Sequence, residues 1–190
     1  MRVIAGKYRS RPLRSLRGLE IRPTADRLRE TLFNILTAGN PEALAGSLWL
    51  DLFAGTGAVG IEALSRGAGK AWFVESSAAA ARVIRQNLDS LGITDGFGVV
   101  QNDVVKSLKR LDPDLRADFV FLDPPYQYAE GYTSTLEYLG TAPLVAAATI
   151  VIAEHSEKWD PGDAFGRLRR YRKLEQGDAA LSFYRRPVEP

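Results

Sequence analysis

Asp123-Pro124-Pro125-Tyr126 sets a carboxylate, two prolines and an aromatic ring in consecutive positions. The prolines stiffen the turn and hold it off a helical path. Because residue 125 is also proline, no following N–H competes locally for the Pro124 carbonyl. That carbonyl and the Asp123 side chain form a rigid pair of acceptors beside a stacking ring. The matching target is a planar exocyclic –NH2 on a nucleobase, a poor nucleophile because its lone pair is delocalised into the ring. Accepting both N–H groups favours pyramidalisation, and most of the gain is alignment of nitrogen with an electrophilic methyl. Acceptors that meet the positive charge growing on nitrogen stabilise the transition state. Asp123 can also take the proton. The base must be unpaired or flipped out, with Tyr126 stacked on it. A stiff surface turn is the competing reading of these four residues taken alone.

Gly55-Thr56-Gly57-Ala58-Val59-Gly60 matches G-x-G-x-x-G, and Glu75 follows Gly55 by 20 residues. Such glycines permit a tight bend and close backbone approach to a nucleotide cofactor, and the acid suits ribose hydroxyls. In a dinucleotide site the helix N-terminus receives a pyrophosphate. Asp51, just upstream, opposes that charge but suits an ammonium and a sulfonium, which S-adenosylmethionine (SAM) carries. Asp103 falls at the same sheet edge and can accept from an adenine amino group. Capping of the following helix is the alternative for both Asp51 and Asp103.

These residues need a scaffold that brings strand ends together. Residues 48–53, 71–75, 97–101, 118–122 and 148–154 read as buried strands. Helices are expected up to about Arg66, over 77–91, near 104–111 and near 131–140, with an earlier amphipathic helix over 24–37. Alternating βα units with apolar strands imply a parallel sheet covered on both faces. Segments 167–174 and 180–186 read as a terminal hairpin across Gln176-Gly177-Asp178, and residues 1–22 as a short irregular hairpin or arm. The expected organisation is a basic extension, 1–40, packed on a catalytic domain, 41–190.

The 190 residues, 45% apolar and 25% charged, describe an ordinary globular domain. With no cysteine and one histidine, His155, thiol chemistry, metal sites and most His-based triads are not expected. The absence of an apolar leader or a membrane-length apolar run gives an expectation of a cytoplasmic protein. The net charge of +2 hides a division: +6 over residues 1–30, +4 over 165–190 and −8 between them. The acidic middle holds Asp51, Glu75, Asp103 and Asp123. The basic ends suit a phosphate backbone, with Lys7, Arg9, Arg11, Arg22, Arg169 and Arg170 as candidate RNA contacts; a solvated basic face is the alternative.

The chain resembles the class I SAM-dependent methyltransferases that modify exocyclic amino groups. More narrowly, it is similar to the bacterial RsmD-type 16S rRNA (guanine-N2)-methyltransferase family. The likeness runs through Ile4–Arg11, the block Ile21–Asn34, Asp51–Gly57 with Gly60–Gly67, and the Asp123–Tyr126 turn. It implies a Rossmann-like, seven-stranded, mostly parallel sheet with a reversed last strand. It implies SAM at Asp51, Phe53, Gly55, Gly57, Glu75 and Asp103, the amino group at Asp123 and Pro124, and rRNA in an assembling small subunit as partner. Related enzymes often carry Asp or Asn where this chain has Ser77. Arg22 and Thr24 fall in the shared block as cofactor-side or target-side residues. N6-adenine DNA methylation, an NAD-dependent oxidoreductase and a non-catalytic RNA-binding SAM fold are the competing readings.

Overall fold

The structure, a computed structural model, describes residues 1–16, 23–112 and 114–187. Five strands run parallel: β1 (Leu48–Leu52), β2 (Lys70–Glu75), β3 (Phe97–Gln101), β4 (Ala117–Leu122) and β5 (Val145–Ser156). Their order is β3-β2-β1-β4-β5, so the sequence order reverses between β1 and β4. A crevice opens beyond the carboxyl ends of strands at such a reversal, and open α/β sheets bind ligands there. Asp51 lies at the end of β1 and Asp123 follows β4, which puts both at that crevice.

Helices cover both faces because both faces of the central strands are apolar. α1 (Pro23–Leu36), α2 (Ala58–Ser65) and α3 (Ala78–Ser90) bury Leu28, Phe33, Ile61 and Ile84 against Trp49, Phe73 and Phe119. α4 (Val104–Leu108) and α5 (Ala129–Thr141) bury Leu108, Leu136 and Leu139 against Leu50, Val120 and Val151. The period-two alternation of β1 therefore sends Trp49 and Asp51 to one face and Leu50 and Leu52 to the other. Trp49 stacks between Phe33 and Phe119, with ring centroids 5.3 Å apart on each side. Among the described residues, no helix is long and apolar enough to cross a membrane.

The reversed last strand is present. β7 (Leu168–Gln176) and β8 (Ala179–Arg185) form the expected hairpin, and β8 inserts antiparallel between β5 and β7. The sheet has eight strands, one more than expected, because β6 (Ala164–Phe165) adds a two-residue antiparallel piece beside β7. That piece is too short to carry an alternating pattern. It is held by tertiary contact: the Arg167 N–H donates to the Gly140 carbonyl at 3.1 Å, and a Cβ on Gly140 would come within 2.2 Å of the Phe165 carbonyl oxygen.

The first residues fold back as an irregular hairpin with one bridge, Arg2 to Pro12. Its closing bonds run from Val3 N–H to the Arg11 carbonyl, 3.0 Å, and from Ser10 N–H to the Val3 carbonyl, 2.8 Å. The hairpin is fastened to α2 and α3 through side chains rather than through the sheet. Buried Glu62 accepts from the Ile4 and Ala5 N–H groups at 2.8 and 3.0 Å. Asn87 accepts from Arg14 N–H at 2.8 Å and donates to the Arg14 and Thr56 carbonyls. Gly6, with φ +79°, lies so close to α2 that an added Cβ would fall 1.8 Å from the Ser65 carbonyl oxygen. A side chain at position 6 would therefore lift the arm off the helix.

Candidate active site

The glycine turn spends its three glycines on different tasks. Gly55 and Gly57 take φ +55° and +77°, values that favour residues without a Cβ. Gly60 has ordinary backbone, but an added Cβ would meet the Phe73 ring at 2.4 Å, so this glycine seats α2 on β2. Phe53, a non-glycine residue, also sits at φ +59°. Left-handed backbone at such a residue costs on the order of 1–3 kcal/mol and persists only where the surroundings over-determine it.

Asp51 reaches from β1 to α2, where its Oδ2 accepts from the Gly60 N–H at 2.9 Å. Asp103 caps α4 by accepting from the Lys106 N–H at 2.9 Å. Both residues make helix-capping bonds, and Asp51 also lines the cavity that runs along the glycine turn, which Asp103 does not. Glu75 binds the glycine turn to the second strand: its Oε2 accepts from Gly55 N–H at 2.8 Å and its Oε1 from Ser77 N–H at 2.7 Å. Ser77 is the N-cap of α3, accepting from Ala80 N–H at 3.3 Å. Where the resemblance leads to an expected Asp or Asn, this chain has another good capping residue.

A cavity of about 330 Å³ joins the glycine turn to the Asp-Pro-Pro-Tyr turn. Its floor is Asp51, Phe53, Gly55, Phe121, Asp123 and Glu154; Met1, Ser15 and Leu16 of the arm and Leu28, Arg29 and Leu32 of α1 form the opposite wall. The structure thus brings Asp51, Phe53, Gly55 and Asp123 together. Gly57, Glu75, Asp103, Pro124 and Tyr126 lie outside the cavity lining. Arg22 lies outside the described residues, as does the Thr24 side chain.

Three acids converge on this cavity. Burial pushes the Asp51 carboxyl up to about 8, with the Gly60 N–H opposing the shift and the Glu75 charge adding to it. Burial also drives Asp123 well above the usual carboxylate range, reinforced by Glu154 and Asp51. Glu154 is pushed up to about 7 by burial, against the pull of the Arg29 charge. Glu154 was not anticipated as a site residue. Its signal was an acid closing an apolar strand, the position Asp51 and Glu75 occupy on β1 and β2. Arg29 likewise gains its place only in three dimensions: it donates to the Arg2 carbonyl at 2.6 Å and to Asp26 at 3.1 Å while lining the cavity.

The proline turn is fixed from below. Buried Tyr132 of α5 donates its hydroxyl to the Pro124 carbonyl at 3.0 Å. The carbonyl that no local N–H competes for is therefore engaged by a phenol, which holds its direction and leaves its second lone pair. Tyr126 is 43% exposed, and Tyr128 meets Phe53 edge-on at 6.4 Å. His155 takes no part in the cavity: its Nδ1 bonds the Ser156 and Trp159 carbonyls and its Nε2 accepts from Ser182.

The basic residues divide. Lys7, Arg9 and Arg11 are exposed on the arm, although Arg11 also donates to the Ser90 carbonyl at 2.9 Å. Arg170 is ion-paired with Asp160 and Asp163, so its charge is compensated within the protein. Through β8, Leu174 stands level with Glu154, whereas Arg170 stands level with Val151. Arg169 and Arg170 therefore lie roughly 10–15 Å from the site edge, at about 3.3 Å per strand residue.

The family model described as Conserved hypothetical protein 95 matches residues 1–185. The chain belongs to this family, the RsmD family. YlbH of Bacillus subtilis is 31% identical over 189 residues, covering 98% of this chain and 99% of that one. Ribosomal RNA small subunit methyltransferase D of Haemophilus influenzae is 39% identical over 129 residues, covering 67% of this chain and 65% of that one. The solved structure of YhhF from Escherichia coli superposes with a TM-score of 0.81 at 30% identity, covering 100% of this chain and 99% of that one. The structure of SMU.776 complexed with SAH shares the fold at a TM-score of 0.66 and 15% identity, covering 87% of this chain and 50% of that one. The RsmD family is one of SAM-dependent methyltransferases, and the cavity fits that cofactor. The buried Asp51 carboxyl lines the cavity, and an ammonium or sulfonium beside it favours its ionised form.

Proposed function

We propose that the protein transfers a methyl group from SAM to the exocyclic N2 amino group of a guanine in small-subunit (16S) ribosomal RNA. The observation that carries this reading is the single cavity joining the glycine turn to Asp123. SAM supplies an electrophilic methyl group there. Asp51, Phe53, Gly55 and Gly57 hold the cofactor, with Glu75 and Asp103 on the adenosine side. Asp123 and the Pro124 carbonyl accept the two N–H groups of the target, Pro125 keeps the turn rigid, and Tyr126 stacks on the base. The relatives named as rRNA methyltransferases support RNA as the substrate. Nucleoside mass spectrometry after incubation with 16S rRNA and, separately, duplex DNA tests it. N2-methylguanosine in rRNA is expected; methylation of adenine in DNA alone would overturn the reading.

The raised Asp51 carboxyl makes cofactor binding pH-dependent. A cationic ligand binds the ionised carboxylate, so below about pH 8 binding must release a proton. SAM affinity is expected to weaken as pH falls from 8 to 6, by up to about tenfold per unit. Calorimetry in buffers of different ionisation enthalpy reads this as proton release at pH 7 that vanishes at pH 9.

The arm supplies the RNA grip. Replacing Lys7 and Arg9 with glutamine is expected to weaken RNA binding. It should also flatten the dependence of log K on log salt by between about one and two units, since each neutralised phosphate contributes about 0.7–0.9. SAM affinity should not change. Filter binding between 50 and 300 mM salt measures the slope, and an unchanged slope would move the grip elsewhere.

A further inference from the structure

We infer that Glu154 is the second half of a proton-accepting pair with Asp123, the place where the proton leaving the methylated amino group is stored. This inference rests on the proposed amino-group methylation. Leu122 and Ala153 are register partners on neighbouring strands, so the residues that follow them, Asp123 just beyond β4 and Glu154 within β5, come side by side at the same sheet edge. Both line the same cavity, on the face shared by Phe121 and Ile152. Neither belongs to the apolar packing, and no helix cap or structural ion pair engages Glu154 among the described residues, unlike Asp51, Asp103 or Glu62.

Two carboxyls so close share a proton, because both cannot carry charge in a desolvated site. The groups around Glu154 are Asp123, which follows β4, Arg29 of α1 and Tyr132 of α5, with Asp51 of β1 beyond Asp123 and Tyr126 beyond Tyr132. On β8 the partner is Leu181, which does not titrate. Arg29 is the one positive charge in this set, and it opposes the burial that pushes Glu154 up to about 7. The pair therefore enters the reaction with one proton and one negative charge.

The balance follows. The amino nitrogen forms a bond to the methyl carbon as the carbon–sulfur bond breaks, its electrons staying on sulfur. The N–H bond on the Asp123 side then breaks, its electron pair returning to nitrogen. The pair takes that proton, becoming neutral with one proton on each carboxyl. Release to cavity water resets it for the next turnover. Asp123 is the group in contact with the substrate, and Glu154 acts through it.

Two measurements test this, one without substrate. In protein carrying 13C-labelled aspartate carboxyls, Glu154→Gln should move the Asp123 titration to lower pH by one unit or more, because the repelling neighbour is gone. An unmoved Asp123 would overturn the pairing. In turnover, Glu154→Gln should lower kcat by about 10²-fold, the low end of general-base contributions. It should flatten the rise of kcat between pH 6 and 8 while leaving the dissociation constant for SAM within threefold of wild type. A kcat within twofold of wild type would overturn the role of Glu154. Should the glutamine variant fail to fold, Glu154→Asp replaces it: lower kcat with the pH rise retained supports the pair, and unchanged kcat overturns it. The methylated nucleoside formed by the wild type tests the proposed reaction separately, so a different product and an idle Glu154 are distinguishable outcomes.

Discussion

Asp123→Ala is expected to lower kcat for methyl transfer by about 10²–10⁴, while the protein becomes more heat-stable at pH 8. The loss follows from geometry. Asp123 borders the cavity at the reversal of strand order, and its partner acceptor, the Pro124 carbonyl, already holds the Tyr132 hydroxyl. Without the carboxylate, a bound amino group keeps one acceptor instead of two and loses the group that takes its proton. The stability gain follows from sign. The folded carboxyl is raised well above its ordinary value of 3.8 by burial and by Glu154 and Asp51. Such a group supports folding while protonated, and that support is lost as pH rises from about 4 toward the folded value. Removing it should therefore widen the melting-temperature gap between variant and wild type from pH 5 to pH 8. Thermal scans at both pH values, beside turnover assays, check the pair of effects. Full activity would remove Asp123 from the chemistry, and a lower melting temperature at pH 8 would show that its burial is compensated.

Glu62→Ala is expected to destabilise the fold by about 3–5 kcal/mol, the usual result of removing one partner from a buried charge pair. Glu62 is fully buried and accepts from two arm N–H groups and from Arg66 Nε at 2.8 Å, with Arg29 Nε at 3.8 Å. For a domain of this size each kcal/mol moves the melting temperature by roughly 2–4 °C, so a fall of roughly 6–20 °C is expected. The arm should detach before the sheet melts, because its other polar anchors are the contacts of Ser65, Asn87, Arg29 and Ser90 at the helix surfaces. Limited proteolysis should then cut within residues 1–16 of the variant under conditions that spare the wild type. The cavity would lose the wall built from Met1, Ser15 and Leu16, and SAM affinity should fall with it. A melting temperature within 2 °C of wild type would mean that the arm is held without Glu62, by Val3 and Leu13 and the remaining hydrogen bonds.

Both variants touch the boundary between what is local and what is not. The sequence determined the strands, the glycine turn, the acceptor turn and the terminal hairpin, because each depends on short-range pattern. Apolar runs bounded by glycine and proline mark buried strands, and G-x-G-x-x-G with a later acid marks a nucleotide turn. The class of fold and the edge on which Asp51 and Asp123 lie follow from those patterns, since right-handed βα units bring strand ends to one side of a parallel sheet. The terminal hairpin was legible as two short strands across a glycine turn, and the family resemblance implied the reversal of the last strand.

Only the tertiary structure decided which residues share the cavity. Glu154 is far from Asp123 in sequence and comes beside it through the pairing of Leu122 with Ala153. Tyr132 reaches the Pro124 carbonyl because α5 crosses beneath the turn, and Arg29 faces the acids because the arm and α1 fold over the end of the sheet. The same folding ion-paired Arg170 with Asp160 and Asp163 and moved it away from the site edge, although its charge in the sequence looked available. Charge, desolvation and acceptor capacity depend on neighbours in space. A sequence supplies the groups and the elements that carry them; the register of strand against strand and the cover of helix over strand end set what each group can do.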